Sequence, residues 1–307
     1  MCESPGFMRE RPVFETLLAG VRVEAGRFAR VELRAPWGAR VGPRDVVALH
    51  HVLDGELWLD AGDHHAHVRA GDLVVVPPGT GHALRHRPGA AVTAVHDAPS
   101  VDALSVRRVF GGDGPRTVVL CAELTLRGAT RSALLRALPT VVHLREPHLD
   151  HLLAELRHEI RERRAGASVL AARLVELVLL RGIRAELERP AETGTWRAAL
   201  TDERIGRALD AVHREPGRAW TVAGLAEVAG MGRAAFAVRF RDLVGDTPVA
   251  YLTAWRMDVA REHLVDRPEW TIGRVAASVG YGSEYAFSTA FRRVVGVPPG
   301  RYRTESV

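Results

Sequence analysis

Up to about residue 126, apolar residues come in short runs, Val46–Val52, Leu57–Leu59, Leu73–Val76 and Val118–Leu124, separated by Gly, Pro and Asp. Runs of this length, rich in Val and Leu and broken by turn residues, predict a small β-sandwich or barrel. From Thr130 the period lengthens. Leu149, Leu152, Leu153, Leu156 and Ile160 recur at helical spacing, as do Leu170, Leu174, Leu177, Val178 and Ile183. Two helices around a break at Ala165–Gly166 are predicted, with charges on their outer faces. They suit either a hairpin packed on the β region or a dimerisation surface. Glu188–Asp202 mixes Pro, Gly, Thr and charge without apolar period, which predicts a linker. Beyond it the pattern is helical throughout, with Gly and Pro only at joints.

The last hundred residues contain a duplication. Thr221-Val-Ala-Gly-Leu-Ala-Glu-Val-Ala-Gly230 matches Thr271-Ile-Gly-Arg-Val-Ala-Ala-Ser-Val-Gly280 at an offset of 50. Phe240-Arg241, Gly245, Pro248 and Tyr251 match Phe291-Arg292, Gly296, Pro299 and Tyr302 at an offset of 51. Each copy predicts a short helix capped by Thr and stopped at Gly, a tight turn, and a second helix stopped by another Gly. That is the helix-turn-helix pattern. Two copies are too few for a solenoid. Between them Pro248–Leu264 carries Leu252, Trp255, Val259, Ala260 and Leu264 on one stripe. As a helix it is about 25 Å long, a length that suits two reading helices set roughly 34 Å apart along one duplex.

Ala276, Gly280, Tyr281, Phe287, Phe291, Gly296, Pro299 and Tyr302-Arg303, with Arg256, Ala260 and Leu264 upstream, resemble the DNA-binding domain of the AraC/XylS transcriptional regulators. The resemblance covers both units and the connecting helix. It implies that the second unit enters the major groove with Ser283, Glu284, Tyr285, Ser288 and Thr289, with Arg292 counted beside them. Glu284 can accept from a cytosine amino group, and the hydroxyls can reach bases or phosphates. In the first unit the matching positions are Ala234, Ala237 and Val238, small apolar residues that can still touch a thymine methyl. Arg233 and Arg239 are the nearby groups able to grip guanine or phosphate. The first unit is therefore expected to dock more than it reads. Phe236, Phe240, Phe287 and Phe291 are assigned to the core by spacing.

In the β region, Gly71-Asp-Leu-Val-Val-Val-Pro77-Pro-Gly79-Thr-Gly-His82 fits the second motif of the cupin barrels, G-(x)5-P-x-G-(x)2-H, with His86 where the motif ends in Asn. The first motif is poorly kept in Leu49–Glu56. The block resembles the cupin sensor domains attached to one branch of the AraC family. On a strand His50 and His51 point to opposite faces, and His50 is the choice for the interior. His50, His82 and Cys121 then make a candidate N/N/S set for a divalent metal, zinc foremost. The alternative is an inherited barrel with stray histidines and a buried thiol. A thiolate near a metal or two histidines is expected to have a lowered pKa. His64, His65 and His67 are expected at a solvated hairpin tip.

Composition changes this picture little. The 307 residues are 47% hydrophobic and 26% charged, the balance of a globular chain, which excludes a disordered or fibrous one. All 42 basic side chains are Arg against 37 acids, a mild net charge of +5 that is compatible with nucleic acid. Asn and Gln are absent, so the usual bidentate grip on adenine is missing. Cys2 and Cys121 make no disulfide framework. No secretory or membrane-spanning segment is evident, and a cytoplasmic address follows.

The expected fold class is α+β multidomain. Residues 1–128 form a cupin-like sensor domain, 129–188 a helical coupling or dimerisation segment, 189–201 a linker, and 202–307 a DNA-binding domain with two helix-turn-helix units. The expected function is a sequence-specific transcriptional regulator sensing a small molecule, metal or redox signal. Its expected partners are double-stranded DNA, a small-molecule effector and a second copy of itself. A metal-dependent cupin enzyme, dioxygenase or isomerase, is the alternative, and a constitutive architectural DNA binder a third.

Overall fold

A computed structural model describes residues 12–94, 104–145, 147–162, 164–189 and 196–305. Cys2 and residues 190–195 of the predicted linker lie outside the described residues. The chain opens with α1 (Pro12–Ala19), then β1 (Arg22–Arg34), β2 (Gly38–Val41), β3 (Val47–Asp54), β4 (Glu56–Ala61) and β5 (His64–Arg69). There follow β6 (Leu73–Val76), β7 (His82–Arg85), β8 (Thr93–Ala94), β9 (Leu104–Gly111) and β10 (Arg116–Arg127). Next come α2 (Arg131–Ala137), β11 (Val142–Leu144), α3 (Asp150–Glu162) and α4 (Ala167–Glu188). The rest is helical: α5 (Trp196–Thr201), α6 (Glu203–Arg214), α7 (Val222–Ala229), α8 (Arg233–Val244), α9 (Pro248–Asp266), α10 (Ile272–Ser278), α11 (Glu284–Val295) and α12 (Pro299–Glu305).

Two compact units emerge, and the chain passes between them more than once. One holds 22–127 with 138–189; the other gathers 12–21, 128–137 and the helices from 196 onward. Gly128–Ala137 thus belongs with the C-terminal helices rather than with the segment after it. Trp196 of α5 donates its indole N–H to the Ala133 carbonyl at 2.7 Å, and the Ala129 amide donates to Glu262 at 3.1 Å. The end of the predicted linker is therefore the helix α5, because Trp196, Ala199 and Leu200 are buried there.

The β unit has a cupin-like core of two sheets. Their strand orders are β11-β6-β3-β10-β1-β9 and β5-β4-β7-β2-β8. Alternation puts Val52, Val74 and Val119 of one sheet against Leu57, Leu59 and Leu84 of the other. The opposite face of the six-stranded sheet, with Leu49, Leu120 and Ala122, is buried as well. The apolar side of α3 (Leu153, Leu156, Ile160) is buried in the same unit, and α4 packs beside α3 and onto β1. The histidines of 64–67 are not a hairpin tip. They begin β5, where Ala66 and Val68 face inward and His65 and His67 outward, hydrogen-bonded to Asp60 and Glu56. The turn is Gly62–Asp63.

In the helical unit α6–α7–α8 and α9–α10–α11 are two three-helix bundles. The connecting helix α9 buries Leu252, Trp255, Val259, Ala260 and Leu264 as its periodicity predicts. No helix among the described residues is long and apolar enough to cross a membrane.

Candidate nucleic-acid interface and sensor centre

The two turn–helix pairs are built alike. Thr221 caps α7 by accepting from the Gly224 amide at 3.0 Å, and Thr271 caps α10 by accepting from Arg274 at 3.1 Å. Each first helix is followed by a glycine at positive φ, Gly230 at 63° and Gly280 at 80°, where a β-carbon is strained. At Gly280 a side chain would also meet the Gly217 carbonyl oxygen at 2.6 Å. Phe236, Phe240, Phe287 and Phe291 are all buried.

Between those phenylalanines the helices turn other residues outward. On α8, Arg233, Ala234, Val238 and Arg239 are exposed and Ala237 half-buried. On α11, Glu284, Tyr285, Thr289 and Arg292 are exposed, Ser283 likewise, and Ser288 is half-buried. Tyr285 is 84% exposed, the most open of the large hydrophobic side chains described. Two assignments change in detail. Arg239 is held by Asp202, its Nε donating to the carboxylate at 2.9 Å, so its guanidinium is already paired. Ser283 serves as the α11 N-cap, accepting from the Ala286 amide at 3.2 Å.

Another feature was open to sequence reasoning and missed. A tryptophan precedes each capping threonine, and a guanidinium lies over it: Arg218 4.2 Å from Trp220, Arg274 4.4 Å from Trp270. The repeated Trp-Thr pair was the available signal.

In the β unit His50, His82 and Cys121 do come together. His50 and Cys121 are cross-strand partners on β3 and β10, and His82 reaches them from β7 in the other sheet. Cys121 Sγ lies 3.3 Å from His50 Nδ1, and His50 Nε2 lies 2.8 Å from His82 Nε2. His50 therefore offers opposite ring nitrogens to its two neighbours. A metal held by three donors needs one lone pair from each, converging at about 2.0–2.3 Å. Here the imidazole stands between the other two groups in a hydrogen-bonded chain. Among the described residues no group of three or more His, Cys, Asp or Glu forms a metal-holding cluster.

The electrostatics agree. Burial, aided by His82, holds the His50 pKa well below its ordinary value. Burial also lowers His82, outweighing the Thr80 backbone bond, with Arg44 adding. The Cys121 thiol is pushed up to about 12, mainly by burial and secondarily by Glu123. This runs opposite to the lowering expected beside two histidines, since both rings are neutral and no cation among the described residues offsets desolvation. Neutral thiol and neutral rings make a consistent chain across the core. The cavity beside His82 holds about 10 Å³, room for roughly one water.

Residues 13–188 match the family model described as Cupin, and 225–305 match that of a helix-turn-helix domain. The chain is similar to a putative AraC-like transcription regulator of Streptomyces lividans, 33% identical over 94% of this chain and 97% of that one. It is also similar to the transcriptional regulator MtrA of Neisseria gonorrhoeae, 28% identical over 89% and 91%. Among solved structures, the DNA-binding domain of AdpA in complex with a target DNA is 30% identical and spans 34% of this chain and 92% of that one, at a TM-score of 0.32.

Proposed function

Because the chain belongs to the AraC family of transcriptional regulators, with a cupin-like domain ahead of its helix-turn-helix domain, we propose that it acts in the cytoplasm as a homodimer. It reads DNA with α11, docks with α8, and takes its signal through the β unit. The enzyme alternative drops away, since relatives matched over nearly their whole length are regulators. The observation that carries the DNA reading is the split of α8 and α11 into a buried phenylalanine stripe and a largely exposed outward face. An exposed polar face on a helix of this motif is what a major groove accepts.

An exposed apolar strip supports the dimer. Val169, Leu170 and Leu177 of α4 are 63%, 50% and 42% exposed, while the opposite side of that helix is fully buried. Apolar residues at i and i+7 on one helix pair well with a symmetry-related copy. Selection of duplexes from a random pool by the full chain, with light scattering on the same sample, tests both parts. Enrichment of one motif by a dimer is expected, and Leu170→Glu with Leu177→Glu should give a monomer. A pool that stays random overturns the regulator reading. A wild-type monomer overturns the dimer.

A further inference from the structure

A large cavity of the β unit lies outside the paired sheets. It lies between the outer face of the six-stranded sheet and α3, and holds about 930 Å³. Leu53 of β3, Leu120 of β10 and Ile160 of α3 give it an apolar floor. Its polar lining is mostly cationic: Arg30 and Arg116 from the sheet, Arg157 and Arg161 from α3.

Two of those four arginines are already matched. Arg116 pairs with Asp54 at 2.6 Å and Arg161 with Glu162 at 3.1 Å. Glu32, the acid of the lining, is held by Arg34 at 3.4 Å. The guanidiniums of Arg30 and Arg157 have no hydrogen bond or ion pair among the described residues. Two unmatched guanidiniums over an apolar floor, in a cavity of the size that takes small organic ligands, select for a particular chemistry. A guanidinium fork fits a carboxylate bidentately. The leucine and isoleucine floor favours a ligand whose other end is apolar.

We propose that this cavity is the effector site, and that it takes a small amphipathic carboxylate, an aryl or short acyl body with one acid group. The proposal rests on the regulator reading above and gives it a ligand class and a place. The coupling is local. Arg157 and Ile160 lie on α3, which packs along α4, the helix with the open leucine face. A ligand bridging Arg30 on the sheet and Arg157 on α3 favours one setting of that helix pair over others.

The test is calorimetric titration of the full chain, without DNA, by phenylacetate, 3-phenylpropionate, 4-phenylbutyrate and octanoate, with phenylacetamide and inorganic phosphate alongside. At least one carboxylate should bind at micromolar to submillimolar concentration. The amide and phosphate should bind at least tenfold more weakly. Arg157→Ala and Arg30→Ala, each checked for native circular dichroism, should weaken the carboxylate at least tenfold. Arg40→Ala, on the other sheet, should leave it unchanged. No binding by any of the four, phosphate binding as tightly, or indifference to both arginine variants overturns the site. Since DNA is absent, the two readings fail separately. A chain that selects no DNA yet loses its carboxylate through Arg157→Ala keeps the cavity and loses the regulator reading.

Discussion

The two helix-turn-helix units share their buried residues and differ in their exposed ones. Phe236 and Phe240 have the same burial as Phe287 and Phe291, and both second helices end on left-handed glycines, Gly245 and Gly296. Outside that frame the copies diverge. The first presents Ala234, Ala237 and Val238, with its Arg239 tied to Asp202; the second presents Glu284, Tyr285, Ser288 and Thr289. Packing constrains one set and leaves the other open to whatever the groove requires. On the proposed reading, the difference separates a scaffold role, shared by both units, from base reading, which falls chiefly to the second.

The largest effect should come from the shared frame. Phe240→Ala and Phe291→Ala each remove a ring at most 1% exposed and should each cost about 3–5 kcal/mol. Urea unfolding of the full chain measures both. Were one variant nearly neutral and the other severe, the claim that the two units are held by equivalent cores would be broken.

Much of this frame was legible in the sequence because it repeats and because a 3.6-residue period survives in it. The β unit was less so. The runs at Leu73–Val76 and Val118–Leu124 mark β6 and β10, but β1 passed unnoticed because Arg and Glu alternate with its apolar residues in RVEAGRFARVELR. His64–His67 read as a turn because three histidines mask the inward pair Ala66 and Val68. The convergence of His50, His82 and Cys121 followed from the cupin-like motif and strand alternation. Their arrangement as a chain did not, since it depends on which way one imidazole is turned. Nor did the Asp202–Arg239 pair or the arginine-lined cavity, whose residues meet only through tertiary packing.

Base reading is the next effect in size. Glu284, Ser288 or Thr289 replaced by Ala should change the preferred base at one position, a discrimination of about 1–3 kcal/mol for a good contact. The matching changes in the first unit, Ala234→Gly or Val238→Ala, should leave the selected motif as it was. Selection on each variant decides it, and an unchanged motif in every α11 variant would erase the functional difference between the units.

The first unit's own anchor predicts a smaller effect that depends on pH. Asp202 caps α6, accepting from the amides of Arg204 and Ile205, and also holds Arg239. Burial alone would raise its pKa, but the Ile205 amide and Arg239 outweigh it and hold the carboxyl below its ordinary 3.8. A carboxylate with a depressed folded pKa contributes stability above its unfolded value, and that contribution is lost as pH falls through the folded one. Asp202→Ala should therefore cost about 0.5–2 kcal/mol near pH 7. The gap to wild type should narrow below about pH 4. An equal gap at both ends of that range would show that the charge contributes nothing.

The smallest effect distinguishes the two arginines of α8. Arg233 is exposed and without an ion pair among the described residues, whereas Arg239 is occupied by Asp202. A phosphate contact made by Arg233 releases counterions, so its loss weakens every duplex alike and lowers the slope of log affinity against log salt by about 0.9. An arginine already neutralised by a neighbouring carboxylate releases few. Arg233→Ala should accordingly flatten the salt dependence without altering the selected sequence, and Arg239→Ala should leave the slope nearly as it is. Fluorescence anisotropy across a salt series on selected and scrambled duplexes compares them. If Arg239→Ala flattens the slope as much as Arg233→Ala, the Asp202 pair opens on DNA, and both arginines of the first unit dock.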